Sequence, residues 1–483
     1  MAKYKAPVGF HNQAYRFEVD RPSRYPAIAS HQGARRFAWN FMLGVIEEQC
    51  RAREVFRLLA IRQGASTEEA QLWAESACSI PYLIELNEKS LKDHEAKVSS
   101  GKHKGSYQPV SEWCPWTKDA MRYLWNRIKD EVAPWWAENS KECYSSAFES
   151  LARAFHDHFS SRDGTRRGLP VGWPKPKRRS GRQSVGFTTG GIEILDRHHV
   201  QLPVVGVLRV KEPTNKLRCK LITKDARILR ANLVTEGTKT YVSFTVEVRN
   251  KPQIKQTASV CGHDVGISVL ITSSDGKVTK NQRAEKKTRK KISRYQRRMD
   301  RQHRTASPAC FDDKGRHIQG RCYWKNRSKR AQENQQRLAK THARAARISK
   351  DAIHKASHNA ASTYKVNITE DLRVGQMGKK GYGKRGFNRV LQDAALAELR
   401  RQLTYKCSWY GSVLWLASWW YPSSKTCSQC QVKNPKLSRS TRMFHCEHCG
   451  LVIDRDLNAA KNLAALAELA CVCHGTVCNR ISG

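Results

Sequence analysis

The chemistry in this sequence concentrates near its C-terminal end, in two cysteine pairs followed by two aspartates. Cys427-Ser-Gln-Cys430 and Cys446-Glu-His-Cys449 are C-x-x-C knuckles separated by about fifteen residues, the spacing of a zinc ribbon. Two residues between thiols let both sulfurs of a knuckle face one tetrahedral ion. Four thiolates complete that coordination, so one Zn²⁺ held there is structural and cannot activate water. His445 and His448 read as neighbours rather than ligands. After the second knuckle comes "GLVIDRDLNAAKNL", in which Asp454 and Asp456 run into an alanine-rich helix. Two earlier acids stand out beside them, Asp264 in "GHDVG" and Glu370 in "NITEDL". Taken singly each has a plain explanation: Asp264 a charge beside a turn, Glu370 an exposed strand end, Asp456 a helix N-cap. The tail "CVCHGTVC" lacks ribbon spacing and reads as a mobile terminus.

The chain that must position these groups has 483 residues, which suggests two to four domains. Hydrophobic residues at 39% and charged residues at 27% suit a soluble globular protein with real cores. Its formal net charge is +44, from 87 Lys+Arg against 43 Asp+Glu. Such self-repulsion calls for a polyanionic partner, and nucleic acid is favoured because phosphate contacts release counterions. No apolar run is long enough to span a bilayer and no lipidation signal is present, so a membrane partner is not expected. The N-terminus lacks the apolar core of a secretion signal, which makes the sixteen cysteines thiols or metal ligands rather than disulfides. Singly placed ones such as Cys50, Cys143 and Cys261 read as buried thiols.

A short strand is expected from about Ala14 to Val19, then a helical region to about Phe159, starting with "ARRFAWNFMLGVIEEQ". Its tryptophans, Trp113, Trp116, Trp125, Trp135 and Trp136, read as bundle core rather than base-stacking platforms. "RDGTRRGLPVGWPKPKRRSGRQSVGF" cannot be a regular helix. It reads as a linker or as a basic loop on nucleic acid, with Lys175, Lys177, Arg178 and Arg179 as candidate contacts. Short alternating runs follow, "SVGFTT", "GIEIL", "HVQLPVVGVLRV" and "TYVSFTVEV", which predict a small antiparallel barrel or sheet. The first strand would join it, making the helical region an insertion. Next, "ASVCGHDVGISVLITSSDGKV" predicts a hairpin closed by "SSDG", with Asp264 inside its first strand. Two strongly basic helical stretches have too few acids at i,i+4 to be neutralised, which favours nucleic-acid contact. "YKVNITEDLRV" is a strand ending in acids, "RVLQDAALAELRRQLTYKCSWYG" one amphipathic helix, and "SVLWLASWW" a further strand.

Together these segments resemble a known series. "GHDVGISVLITSSDGK", "ITEDLRV", "LTYKCSWYG", "PSSKTCSQC" and "CEHCGLVIDRDLNAAKNL", in this order, are similar to the signatures of TnpB and the miniature type V CRISPR effector nucleases. The likeness is strong over the C-terminal half and weaker upstream. It implies an RNase H-like, RuvC-type nuclease domain with an inserted zinc ribbon, and catalytic acids at Asp264, Glu370 and Asp456. Spacing alone leaves Asp454 and Asp456 level; the resemblance favours Asp456, which stands directly before "LNAA". His263 departs from the family, where an apolar residue is usual, and packing is its simpler reading. The acids would hold two Mg²⁺ ions, since phosphodiester hydrolysis needs an activated water and charge neutralisation on the leaving oxygen.

The resemblance further implies a bilobed α/β architecture. A β-barrel wedge domain (residues 1–40 and 181–256) would carry a helical recognition insertion (41–180). The RuvC domain (257–420 and 451–483) would carry the ribbon (421–450). Guide RNA and target DNA are the implied partners, a short target-adjacent motif the protein's own readout, and a prokaryotic cytoplasm the implied location. Monomer or homodimer stays open, as does a CRISPR or transposon origin. Two other readings stand beside this one: a guided binder that silences without cutting, and a transposon-associated nuclease that works without RNA.

Overall fold

The computed structural model describes residues 6–100, 107–166, 168–237, 239–250, 258–318, 324, 327–372, 374–377, 384–438, 441–473 and 480–481. The chain divides into two compact units, Met1–Arg249 and Asn250–Gly483.

The first unit opens with β1 (Phe10–Glu18), followed by the long α1 (Pro26–Arg62). Pro26 at its first turn gives up an N–H that has no partner there in any case. Then come α2 (Thr67–Ala77), α3 (Pro81–Ser99), α4 (Lys118–Val132) and α5 (Lys141–Arg162). Ser66 and Glu69 start α2 with a reciprocal capping box. The chain continues through β2 (Gln183–Phe187), β3 (Glu193–Ile194), β4 (His199–Leu202) and β5 (Gly206–Arg209). It ends with α6 (Asn215–Ile222), β6 (Ala226–Glu236) and β7 (Lys239–Arg249). The early strand does join the later ones, as β1 pairs antiparallel with β7 along its whole length.

The expected barrel does not close. Among the described residues the strands form one sheet of order β1-β7-β6-β2 and another of order β3-β4-β5. A single bridge, Val19 to Val210, links them. Helices take the place of closure: Trp39, Met42 and Ile46 of α1 and Phe148, Leu151 and Phe155 of α5 share one core with Phe17, Phe187 and Phe244 of the larger sheet. Within "VQLPVVGVLRV" one strand was expected, but the chain reverses between β4 and β5. Val204 (φ 62°) and Gly206 (φ 83°) supply the left-handed turn. Of the tryptophans, Trp125 is buried and Trp113, Trp116 and Trp136 pack against the core, while Trp135 lies edge-on to Phe37.

The second unit begins with β8 (Ala258–Asp264), β9 (Val269–Ser273) and β10 (Val278–Lys280). "SSDG" turns β9 into β10 rather than closing the first hairpin, and Asp264 is the last residue of β8. The basic helices α7 (Ala284–Ala306) and α8 (Lys329–Thr363) pack along each other. After them come β11 (Tyr364–Glu370), α9 (Val374–Met377), α10 (Lys384–Ala394) and α11 (Leu396–Tyr410). The single helix expected over the last two is broken at Ala395, which sits at φ 46°. The unit closes with β12 (Val413–Ala417), β13 (Met443–His445), β14 (Val452–Asp454), α12 (Arg455–Cys473) and β15 (Arg480–Ile481). Its main sheet has the order β10-β9-β8-β11-β12-β15, with β8, β11, β12 and β15 parallel and β9 and β10 antiparallel to their neighbours. Of the cysteine-rich tail, Cys471 and Cys473 fall in the last turns of α12 and Cys478 lies outside the described residues.

Candidate active site and metal centre

Parallel pairing brings the first two acids side by side. Thr369 is opposite His263 in the β8–β11 ladder, so Glu370 and Asp264 end neighbouring strands at the same edge of the sheet. The third arrives on α12, which crosses directly over β8. A Cβ placed on Gly262 would meet the Ala460 carbonyl oxygen at 2.0 Å and the Ala464 nitrogen at 2.5 Å. Glycine on the strand and alanines on the helix therefore permit a backbone-to-backbone approach. Asp456, four residues before Ala460, lies on the same helix face.

Their proximity shows in the electrostatics. Burial, then the charges of Glu370 and Asp456, push the Asp264 carboxyl up to about 8. Burial also raises Glu370, opposed by a hydrogen bond that the Ser423 hydroxyl donates to its Oε1. Asp456 is flanked by two guanidiniums, Arg455 at 3.1 Å and Arg442 at 3.7 Å. Asp454 has another task. Its Oδ1 accepts the amide N–H groups of Asp456 (2.9 Å) and Leu457 (3.0 Å), which makes it the cap of α12. The Asp456 carboxylate is thereby released from capping. Three carboxylates that feel one another's charge, all oxygen ligands, suit hard divalent cations that would draw them together and relieve their repulsion; among the described residues the group whose ligand atoms already lie within 4.8 Å of one another is the cysteine set.

Within the ribbon, both knuckles fold as the same tight turn: Gln431 N–H donates to the Cys427 carbonyl and Gly450 N–H to that of Cys446. The four Sγ atoms of Cys427, Cys430, Cys446 and Cys449 all lie within 4.8 Å of one another. Backbone amides, chiefly that of Cys449, draw the Cys446 thiol down, while Cys430 and Cys449, which share hydrogen bonds with it, are pushed up. This convergent all-sulfur set fits Zn²⁺.

The ribbon is tied to the acids by α12. Asn458 donates to the Thr426 carbonyl (2.7 Å) and accepts from the Ser428 amide (2.9 Å). Asn462 donates to the carbonyls of Ser423 and Thr426, each at 2.7 Å. Ser423, so held, reaches Glu370. Ser423, Arg442, Arg455, Asn458, Asn462 and Gly262 are absent from the expected site. One signal was available: two asparagines at i,i+4 in an alanine-rich helix are poor helix formers sharing a face. His263 is fully buried, as packing requires, but it also hydrogen-bonds Asn367 (2.9 Å) and Ser273 (3.1 Å) on the flanking strands.

In the first unit the basic loop is ordered against α1. Asn40 accepts the Lys177 amide and donates to the Lys177 carbonyl, and the Trp39 indole donates to the Lys175 carbonyl. Lys175, Arg178 and Arg179 are exposed. Lys177 turns inward, its Nζ 3.5 Å from the Trp39 ring centroid. No helix among the described residues is long and apolar enough to cross a membrane.

A family model described as "Cas12f1-like, TNB domain" matches residues 397–463. A "Putative RNA-guided DNA endonuclease" of Mycobacterium tuberculosis is 30% identical over 485 residues, spanning 97% of this chain and 89% of its own length. InsQ of Escherichia coli, with the same description, is 24% identical over 426 residues, spanning 86% of this chain and 92% of itself. Among solved structures, a Cas12f1-sgRNA-target DNA complex aligns over 94% of this chain and 99% of its own, at 12% identity and a TM-score of 0.42.

Proposed function

The chain belongs to the family of TnpB-like RNA-guided DNA endonucleases, and from that premise we propose that it binds a guide RNA and hydrolyses target DNA at Asp264, Glu370 and Asp456. The observation that carries this reading is that the ends of β8 and β11 and the start of α12 bring Glu370 and Asp456 near enough to Asp264 for their charges, with burial, to raise its carboxyl to about 8. The sheet order, three antiparallel strands continued by parallel ones, supports an RNase H-like, RuvC-type domain. The three carboxylates would hold two Mg²⁺ ions. When bound, such a pair supplies an activated water and neutralises the leaving oxygen.

The chain's own groups do the positioning. Ser423 fixes the Glu370 carboxylate, Asp454 caps α12 so that Asp456 is free to face the site, and Arg455 and Arg442 hold Asp456 in place. The basic faces of α7 and α8 concentrate phosphate near the acids. Lys175, Arg178 and Arg179 would hold backbone phosphates without reading sequence. The first unit, sheet plus helical insertion, would read a short target-adjacent motif while base pairing supplies the specificity.

The test is cleavage of a matched duplex with guide RNA and Mg²⁺, run beside a binding assay. Asp264→Ala, Glu370→Ala and Asp456→Ala should each nearly abolish cutting while binding survives, because such sets act as a unit. Asp454→Ala should cost only a cap, about 0.5–2 kcal/mol of stability. Persistent cutting by all three variants would end the nuclease reading. Guided binding without cutting by the unmodified chain would favour a silencing protein, and RNase-insensitive activity a nuclease that works without RNA.

A further inference from the structure

The turn between β12 and the ribbon carries a feature that the acids do not explain. Trp419 is 37% exposed and Trp420 78% exposed. In contrast, Trp116, Trp125 and Trp173 pack against other rings. The turn holding Trp420 is pinned on every side. Before it, Ala417 pairs with Glu370 in the parallel β11–β12 ladder. Within it, the Tyr421 amide donates to the Ser418 carbonyl at 3.1 Å and the Trp420 amide to the Ser418 hydroxyl at 3.4 Å. After it, the Tyr421 ring packs on the Ile368–Leu463 core and its hydroxyl donates to the Asn462 carbonyl at 3.3 Å. Two residues later, Ser423 donates to Glu370. A backbone anchored this firmly presents one large indole to solvent.

Its position gives the indole a task. Trp420 lies three residues beyond the partner of Glu370, a backbone reach of at most about 11 Å. With the spacing of about 4.8 Å between paired strands added, the span from Glu370 is at most about five base steps of a nucleic-acid strand at about 3.4 Å each. A phosphate brought to partly buried acids belongs to a strand drawn out of its duplex, whose bases have lost stacking partners. Every base has a π-face, so an exposed indole receives any of them without reading sequence.

We propose that Trp420, flanked by Trp419, is a stacking platform for a base of the single DNA strand within about five nucleotides of the scissile phosphate. This rests on the assignment of the acids as the nuclease site. The platform would hold the strand in register over the acids, so that binding beside the reacting phosphate is shared between stacking and charge.

The test uses the full chain with guide RNA and single-stranded or unwound target DNA carrying 2-aminopurine at successive positions around the cut. Ca²⁺ replaces Mg²⁺ during binding measurements to slow turnover. Quenching should mark one or two adjacent positions and vanish in Trp420→Ala, with strand affinity falling about five- to a hundred-fold and Trp420→Phe keeping most of it. An abasic nucleotide at the marked position should weaken the unmodified chain to the level of Trp420→Ala, and weaken that variant no further. Because the side chain is exposed, thermal melting should not move. Full affinity in Trp420→Ala, or abasic and protein effects that simply add, would overturn the platform. A loss confined to guide RNA binding would overturn it in favour of an RNA contact. Failure of the underlying nuclease reading shows separately, as cutting that persists in Asp264→Ala, Glu370→Ala and Asp456→Ala alike.

Discussion

Lys177 shows how a single side chain can belong to a basic loop by sequence and be half-buried against an aromatic ring by structure. Its neighbours Arg178 and Arg179 face solvent, while its amine lies over Trp39. Burial, followed by the charge of Arg35, pulls its pKa down to about 7. Above that value, and up to the ordinary lysine range, the unfolded chain binds a proton that the folded chain does not. Folding stability therefore rises with pH across that window and is lost as pH falls through it. Lys177→Met should flatten this slope in pH-dependent melting and leave nucleic-acid affinity unchanged. Arg178→Ala with Arg179→Ala should instead lower affinity about equally for unrelated sequences. A variant at Lys177 that loses nucleic-acid affinity as strongly as the arginine pair would return it to the contact surface. The sequence carried the positive charge of all four residues, but not which of them an aromatic ring on α1 would take.

At the scale of elements, the site depends on how α12 lies on β8 and the ribbon. Gly262 lets the Ala460 and Ala464 backbone approach. Gly262→Ala should force the helix outward and cost about 1–3 kcal/mol, measured as a fall in thermal stability. Cleavage should fall further than binding, because Asp456 moves with the helix. Wild-type melting and wild-type cutting would show that the contact is looser than the geometry requires. The ribbon acts through the same helix. Removing zinc, or Cys430→Ser, should lower metal content from the expected one zinc per chain, loosen residues 421–450 and release Ser423 from Glu370. Cutting should then drop while guide RNA binding persists; a zinc-free, fully active protein would sink the assignment. Much of this was legible beforehand. Thiol spacing marked the ribbon, and the resemblance of the whole motif series, rather than any one motif, singled out the acids. What was not legible needed two elements at once: that Asp454 caps α12, that its asparagines grip Thr426 and Ser423, and that α1 and α5 cover the sheet where a barrel was expected.

For the whole molecule, the dominant fact is a net charge of +44. Binding of guide and target should weaken steeply with salt, with log affinity falling in proportion to log salt by about 0.9 per neutralised phosphate of duplex. A salt titration of equilibrium binding measures this, and a flat profile would contradict an electrostatic grip. The same molecule also has an order in time. Asp264 and Glu370 end strands that leave the ribosome before α12, whereas Asp456 opens the last long helix among the described residues, the one that must settle over Gly262. A nascent chain thus makes all of its basic residues but Lys461 and Arg480 before it has all three acids. On the proposed reading of these acids, translation that stops ahead of α12 would release a polypeptide without Asp456, so an unfinished product would be disarmed by the order of its own synthesis.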